Sequence, residues 1–183
     1  LHEREAFEDY LRSLGGKVVA VDPERSVAAI GQALEEGGAR LLKRRDPTVL
    51  PRAIKNAAEI AGHKAAQARD GAAVARFLKW VEDEAPAGRL DEMIAAEKLE
   101  QLRREHGDLR DLSFDTISAF GPNGALPHYK GTAESNLPFT PGTLYLVDSG
   151  GQYQDGTTDI TRTVPIGEPT AEMRDRFTRV LKG

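Results

Sequence analysis

The chain has 183 residues, with 25 Lys and Arg against 29 Asp and Glu and a formal net charge of −4; this mild acidity gives no reason to expect a nucleic acid or an anionic membrane as a partner. The absence of Cys excludes disulfides and thiolate ligands and is compatible with a reducing compartment, and no apolar run approaches the ~20 residues that span a bilayer. A chain of this length holds one sizeable domain, or one domain and part of another.

The first forty-odd residues predict a helix, a strand, a second helix and a second strand. Helical spacing of apolar residues favours helices over 3–14 and 26–36, and short apolar runs favour strands over 17–21 and 39–42. Strand, helix and strand with short connections are typical of a βαβ unit. Because the segment is short and begins at Leu1 in mid-pattern, we interpret residues 1–46 as the C-terminal part of an α/β domain in a longer protein. Asp46-Pro47 and Leu50-Pro51 mark its boundary.

A long helical pattern follows over residues 52–84. Its predicted inward stripe consists mostly of alanines at steps of three and four: Ile54, Ala58, Ala61, Ala65, Ala68, Ala72, Ala75, Phe77, Leu78 and Val81. Gly62 and Gly71 each cost a helix about 1 kcal/mol relative to Ala. They therefore predict either close packing against a neighbouring element or a break near Asp70-Gly71.

Further elements follow from local patterns. A helix is predicted from its cap Asp91 through Arg104, with its mixed charges in solvent and with Ile94, Ala95, Leu99 and Leu102 inward. After Leu112 the apolar period changes towards two, which predicts a strand over 116–120 and a turn over 121–124. A last helix over 171–181 is capped by Thr170, with Met173, Phe177 and Leu181 inward.

Residues 143–164 form two strand-like runs that carry Asp148 and Asp159. Asp155-Gly156 between them is a hairpin signal. A tight turn there would place the aspartates on one face but roughly 13 Å apart at ~3.3 Å per residue, too far for a dinuclear centre whose ions lie about 3.5–4 Å apart. A shared metal therefore requires the connection to fold back, with Gly150-Gly151 as a bulge or bend. The alternative, exposed turn and edge aspartates, is equally compatible with the spacing.

The run Asp148-Ser149-Gly150-Gly151-Gln152-Tyr153 followed by Asp155-Gly156-Thr157-Thr158-Asp159-Ile160-Thr161-Arg162-Thr163 resembles the metal-binding hairpin of Xaa-Pro aminopeptidases of the longer cytosolic type. These enzymes belong to the pita-bread metallopeptidases, family M24. The resemblance extends back through 113–118 and 121–125 to His128-Tyr129. It implies an α/β chain in which residues 51–183 are the first part of the α+β pita-bread catalytic domain. Residues 1–46 are then the end of a creatinase-like α/β domain.

The family builds its site from two aspartates, a histidine and two glutamates. By resemblance, Asp148 chelates one divalent ion, Asp159 bridges two, and a bridging water attacks the scissile carbonyl. Mn²⁺ suits the oxygen-rich ligand set, with Zn²⁺ and Co²⁺ as alternatives. His128 matches the family's histidine that contacts substrate and stabilises charge on the carbonyl without binding metal.

The implied reaction is hydrolysis of the bond between an N-terminal residue and a following proline. The implied partners are peptides with proline at the second position and a second copy in a cytoplasmic homodimer. None of the four histidines follows Asp159, so we expect these 183 residues alone to be inactive and the parent to supply the other ligands. The alternatives are a prolidase- or creatinase-like enzyme and a non-catalytic pita-bread binding module. Retention of Asp148, Asp159 and His128 argues against the binding module.

Overall fold

The computed structural model describes residues 3–183, and their contacts separate into two units, Leu1–Lys55 and Asn56–Gly183. In the first unit β1 (Val18–Val21) and β2 (Arg40–Lys43) pair in parallel, with Val18 opposite Arg40, so the predicted βαβ unit is confirmed. Its small core consists of Leu11, Ala33, Leu34 and Ala39. The elements are α1 (Phe7–Arg12), β1 (Val18–Val21), α2 (Ala28–Glu36), β2 (Arg40–Lys43) and α3 (Val49–Ala53).

The second unit begins with the long helix α4 (Ala57–Glu84). Asn56 accepts a hydrogen bond from the Glu59 amide at 2.9 Å, and the Glu59 carboxylate accepts one from the Asn56 amide at 2.8 Å. This capping box sets the start of the helix. The prediction of a start at residue 52 was wrong, because Ile54 is extended (φ −87°, ψ 109°) and separates α3 from α4.

The buried face of α4 differs from the predicted alanine stripe. The helix runs without a break through Gly71, and its buried residues are Ala66, Asp70, Ala73, Val74, Phe77 and Val81. The predicted alanines 58, 61, 65, 68, 72 and 75 are exposed. The true face is displaced by one residue, about 100° of rotation at 3.6 residues per turn. The prediction failed because the true face contains a charged residue, Asp70, that a search for apolar periodicity passes over.

Two further helices, α5 (Glu92–Arg104) and α6 (Ala171–Lys182), were predicted with nearly correct bounds. Asp91 accepts from the Ile94 amide at 2.8 Å and Thr170 from the Met173 amide at 3.2 Å, which confirms both caps. The inward positions were partly wrong: Ala95, Leu99 and Leu102 are buried, whereas the side chains of Ile94, Phe177 and Leu181 are exposed. Among residues 3–183 no helix is long and apolar enough to cross a membrane.

An antiparallel sheet in the order β4 (Ile117–Phe120), β5 (Thr143–Ser149) and β7 (Ile160–Ile166) packs against α4 and α5. A separate two-residue ladder joins β3 (Asp111–Leu112) to β6 (Gly151–Gln152). The core of the unit is aromatic where the sheet meets the helices: the Phe139 ring lies 4.6 Å from that of Tyr145 and 4.9 Å from that of Phe120. The strands are β3 (Asp111–Leu112), β4 (Ile117–Phe120), β5 (Thr143–Ser149), β6 (Gly151–Gln152) and β7 (Ile160–Ile166).

The two helical glycines of α4 predict opposite effects of the same substitution. A Cβ at Gly62 would lie 2.2 Å from the carbonyl oxygen of Asp155, whereas a Cβ at Gly71 would meet nothing within 4 Å. Gly62→Ala should therefore lower the free energy of unfolding by about 1–3 kcal/mol, and Gly71→Ala should raise it by up to about 1 kcal/mol. Urea denaturation of both variants measures the difference. Equal effects would show that α4 does not contact the 155 region closely.

Candidate metal centre

The register between β5 and β7 brings the two predicted ligands closer than a tight hairpin would. Asp148 pairs with Thr161 and Ser149 with Ile160. A turn at Asp155-Gly156 would have placed Thr163 opposite Asp148, so the observed register differs by two residues from that of a tight turn. Asp159 directly precedes β7 and occupies the position diagonal to Asp148, for which the Cα separation in an antiparallel ladder is about 7–8 Å. Side chains at such a spacing can converge on one centre.

The segment between the two aspartates leaves the regular ladder at Gly150-Gly151, as predicted. Gly151 pairs with Leu112 of β3, and Gln152 forms a bridge with Thr157. A Cβ at Gly150 would lie 1.9 Å from the Thr158 carbonyl oxygen and 2.2 Å from the Ser113 hydroxyl. Only glycine fits there, because the returning chain passes directly over it.

Asp148, Asp159 and His128 line one cleft of about 420 Å³, together with Phe114, Asp115, Thr116, Ile117, Tyr129 and Lys130. Asp148 is half-buried and accepts a hydrogen bond from the Thr161 hydroxyl at 2.7 Å, and Asp159 is exposed. All three residues predicted for the site therefore face the same space. The cleft lies at the end of the sheet where β5 meets β7.

His128 has an unusual backbone conformation. Its φ of 56° makes it the only non-glycine residue with a positive φ in the described range 3–183. The left-handed conformation costs a non-glycine residue about 1–2 kcal/mol and persists where the surroundings enforce it. The segment that carries His128 is therefore held in place by other contacts.

Two further polar groups at the cleft were not singled out from the sequence. Thr116 lines the cleft, and its hydroxyl is buried without a hydrogen-bond partner within residues 3–183. Lys130 and Asp115 form a salt bridge of 2.8 Å between exposed side chains, and each holds the pKa of the other displaced towards the charged form. The cleft therefore presents charges of both signs beside the two aspartates.

Behind the cleft lies a buried ion pair that the sequence analysis missed. Arg103 of α5 donates to both oxygens of Asp70 of α4, Nε to Oδ1 at 2.7 Å and Nη2 to Oδ2 at 3.0 Å, and neither side chain is exposed. The prediction that the charges of α5 face solvent was wrong for Arg103. The available signal was its place beside Leu99 and Leu102 on the inward side of the helix.

The ion pair binds the segment between the candidate ligands. The Tyr153 hydroxyl donates to Asp70 Oδ1 at 2.7 Å and the Thr158 hydroxyl to Oδ2 at 2.9 Å, and Arg103 Nη2 donates to the Ser149 hydroxyl at 3.1 Å. Burial raises the pKa of Asp70, but the hydrogen bonds from Arg103, Tyr153 and Thr158 outweigh it and hold the pKa below its ordinary value. The carboxylate is thus ionised at neutral pH and holds both ends of the connection.

The two aspartates offer the kind of donor that a divalent metal prefers. Carboxylate oxygens suit hard divalent cations, and Asp148 and Asp159 offer them on a shared cleft. Within the described part of the chain no three His, Cys, Asp or Glu side chains group closely enough to hold an ion. These residues therefore fit part of a metal centre, two donors of a larger set.

Comparison with known proteins finds a matching family model and similar named relatives. The family model described as metallopeptidase family M24 matches residues 61–183. The chain is 50% identical over 141 residues to a protein named probable Xaa-Pro aminopeptidase P of Aspergillus clavatus, covering 76% of this chain and 21% of the relative. It is 43% identical over 181 residues to Xaa-Pro aminopeptidase 1 of Dictyostelium discoideum, covering 96% of this chain and 28% of that one.

A solved structure is similar over the same region. The crystal structure of X-prolyl aminopeptidase from Caenorhabditis elegans, described as a cytosolic enzyme with a di-nuclear active site, matches with a TM-score of 0.78 and 34% identity. The match covers 92% of this chain and 28% of that chain. The chain thus spans 21–28% of the length of these relatives.

Breaking the buried ion pair should destabilise the protein far more than breaking an exposed one. Arg103→Met leaves Asp70 buried and unpaired, and we expect a loss of about 3–5 kcal/mol in the free energy of unfolding. Arg76→Met removes the exposed pair with Glu105 and should cost less than about 1 kcal/mol. Urea denaturation of both variants is the measurement, and similar losses would contradict the role given to Arg103.

The lowered pKa of Asp70 predicts a pH dependence of stability. A depressed folded-state pKa contributes stability that is present above the unfolded value, about 3.9 for Asp, and is lost as the pH falls through the folded value. The stability difference between the wild type and Asp70→Asn should therefore be constant from pH 7 to about pH 5 and shrink below about pH 4. Denaturation at pH 7, 5 and 3 measures it, and a difference unchanged at pH 3 would contradict the assignment.

Proposed function

Because the chain belongs to metallopeptidase family M24, we propose that the whole protein is a metal-dependent aminopeptidase that hydrolyses the bond between an N-terminal residue and a following proline. The observation that carries the proposal is the shared cleft of Asp148, Asp159 and His128. The cleft occurs in a chain that is 50% identical, over 76% of its length, to a protein named probable Xaa-Pro aminopeptidase P. Family membership confirms the resemblance that the motif residues indicated.

The proposed roles of the aspartates follow from the family resemblance, and their shared cleft supports them. Asp148, on β5, would hold one divalent ion, and Asp159, at the entrance to β7, would contribute its carboxylate to both ions. The ions, when bound, lower the pKa of a water molecule and polarise the scissile carbonyl. We assign Mn²⁺ as the metal because carboxylate ligands suit it. We place the remaining ligands in the rest of the whole protein. Support for two ions comes from the relative with a di-nuclear active site.

His128 has a different proposed role. It lies in the same cleft but is fixed in a conformation that few non-glycine residues adopt. We infer that its imidazole donates a hydrogen bond to the oxygen of the scissile carbonyl as negative charge develops there. A donor placed in advance stabilises the transition state without reorganisation during the reaction. The mechanism therefore requires that the His128 imidazole be fixed in position, and closeness to the scissile carbonyl alone is not enough.

Substrates and context are part of the same proposal. The substrates are peptides with proline at the second position, and we place the protein in the cytoplasm on the strength of the cytosolic relative. The resemblance supports a homodimer, a creatinase-like origin for residues 1–46 and a catalytic domain that begins near residue 51. A prolidase would act on Xaa-Pro dipeptides alone, so hydrolysis of longer peptides distinguishes the two enzymes.

We expect His128 and Asp159 variants of the whole protein to separate metal binding from catalysis. His128→Ala should retain metal near the wild-type content and lower kcat/KM by about 10²-fold or more, the range for loss of one preorganised donor. Asp159→Ala should lose metal and activity together. Metal analysis and kinetics on an Xaa-Pro-Xaa tripeptide are the measurements.

Each alternative has a distinct outcome in that experiment. Loss of metal from His128→Ala would make the histidine a ligand. Unchanged metal content and unchanged kinetics would make it an ordinary loop residue. Hydrolysis confined to Xaa-Pro dipeptides would replace the aminopeptidase by a prolidase.

A further inference from the structure

A second buried carboxylate, Glu92, lies outside the cleft and takes no part in the proposed metal centre. It is the first residue of α5 and 1% exposed. The sequence analysis placed the charges of this helix in solvent, which is wrong for Glu92. A buried carboxylate requires full hydrogen bonding to remain charged, so its partners indicate what it does.

Four groups donate to the Glu92 carboxylate. The Phe120 amide donates at 2.6 Å and the Leu137 amide at 3.2 Å. The Tyr129 hydroxyl donates at 2.8 Å, and the Asn123 side-chain amide lies 3.0 and 3.2 Å from the two oxygens. All four are neutral donors. The negative charge is supported by them and by the N-terminal end of the α5 dipole.

The donors are distributed along the single segment that connects β4 to β5. Phe120 ends β4, Asn123 lies in the 3₁₀ turn Gly121–Ala125, and Leu137 lies near the far end of the segment. Tyr129 and Asn123 also contact the Ser135 carbonyl oxygen at 3.1 and 3.0 Å. One carboxylate thus fixes the beginning, the middle and the end of residues 120–137.

His128 lies in this segment directly before Tyr129. Its left-handed backbone requires surroundings that enforce it, and the buried Tyr129, bonded to Glu92, supplies an anchor one residue away. Glu92 does not itself line the cleft. Any effect on the reaction must therefore pass through the segment.

We propose that Glu92 is a positioning residue: its buried carboxylate holds residues 120–137 so that His128 is fixed at the cleft. The inference deepens the proposed function and rests on it. It also explains the use of an acid at this position. A carboxylate only accepts hydrogen bonds, whereas a glutamine would direct its own N–H groups at one or more of the four donors.

The experiment compares Glu92→Gln with Glu97→Gln, an exposed glutamate on the same helix, in the whole protein. Glu92→Gln should lower kcat/KM on an Xaa-Pro-Xaa tripeptide by about 10- to 100-fold, the range for misplaced catalytic groups, with metal content near wild type. Glu97→Gln should change neither quantity. Loss of metal from Glu92→Gln would overturn the proposal, because Glu92 would then act on the metal centre.

A double-mutant cycle tests whether Glu92 acts through His128. If it does, Glu92→Gln combined with His128→Ala should be no slower than His128→Ala alone, because the group that Glu92 positions is gone. Losses that multiply would overturn the proposal. If Glu92→Gln fails to fold, Tyr129→Phe replaces it in the double-mutant cycle, because it removes one of the four donors. The expected loss of kcat/KM is then smaller, and the double variant should again be no slower than His128→Ala alone.

Hydrogen exchange separates failure of this inference from failure of the proposed function. Amides of residues 121–137 should exchange about tenfold faster or more in Glu92→Gln than in Glu97→Gln, because their anchor is lost. Unchanged exchange would overturn the positioning role whatever the enzyme's activity. Faster exchange in a protein that does not hydrolyse Xaa-Pro bonds would uphold the anchoring of the segment and reject the aminopeptidase.

Discussion

The ion pair between Asp70 and Arg103 is the contact on which the geometry of the cleft depends. Removing two charges from water costs several kcal/mol per ion, which only close geometry and additional hydrogen bonds offset. Asp70 meets that condition through two Arg103 bonds and the hydroxyls of Tyr153 and Thr158, whereas Nη1 of Arg103 is buried without a hydrogen-bond partner within residues 3–183. The consequence of the ion pair is positional. Buried Ser149 directly follows Asp148, and buried Thr158 directly precedes Asp159. Successive side chains of an extended chain point to opposite sides. Holding Ser149 and Thr158 inward therefore turns the two aspartates outward.

The second unit uses two helices as a rigid support and places its chemistry on the segments that they hold. Asp70 on α4 and Arg103 on α5 hold residues 149–158. Glu92 at the start of α5 holds residues 120–137. At the cleft, Asp148 and Asp159, which flank the first segment, face the same space as His128 of the second. Loops positioned by a scaffold commonly carry catalytic residues, and here the scaffold acts through buried charges rather than through apolar packing alone.

Local patterns predicted the elements of this fold better than they predicted its buried faces. The caps Asp91 and Thr170, the strand near residues 116–120 and the α/β class of the pita-bread kind were confirmed. The face of α4 was wrong because Asp70 lies on it, and α5 was misread at Glu92 and Arg103. Apolar periodicity assigns charged residues to solvent, so it fails where a charge is buried for a structural purpose. Likewise, the register of β5 with β7 depends on the fold of the connection, to which Gly150-Gly151 was the only local clue.

The acids that support the site differ from those that could act in it by the number of hydrogen bonds that their carboxylates accept. A carboxylate has about four lone-pair positions. Asp70 receives four hydrogen bonds from Arg103, Tyr153 and Thr158, and Glu92 receives five contacts from its four donors. Neither has an oxygen left for a cation. Asp148, half-buried with a hydrogen bond from Thr161, and the exposed Asp159 keep oxygens directed to the cleft. Saturation of the buried acids therefore leaves the acids of the cleft as the carboxylates available to metal: Asp148, Asp159 and Asp115, the last of which is paired with Lys130.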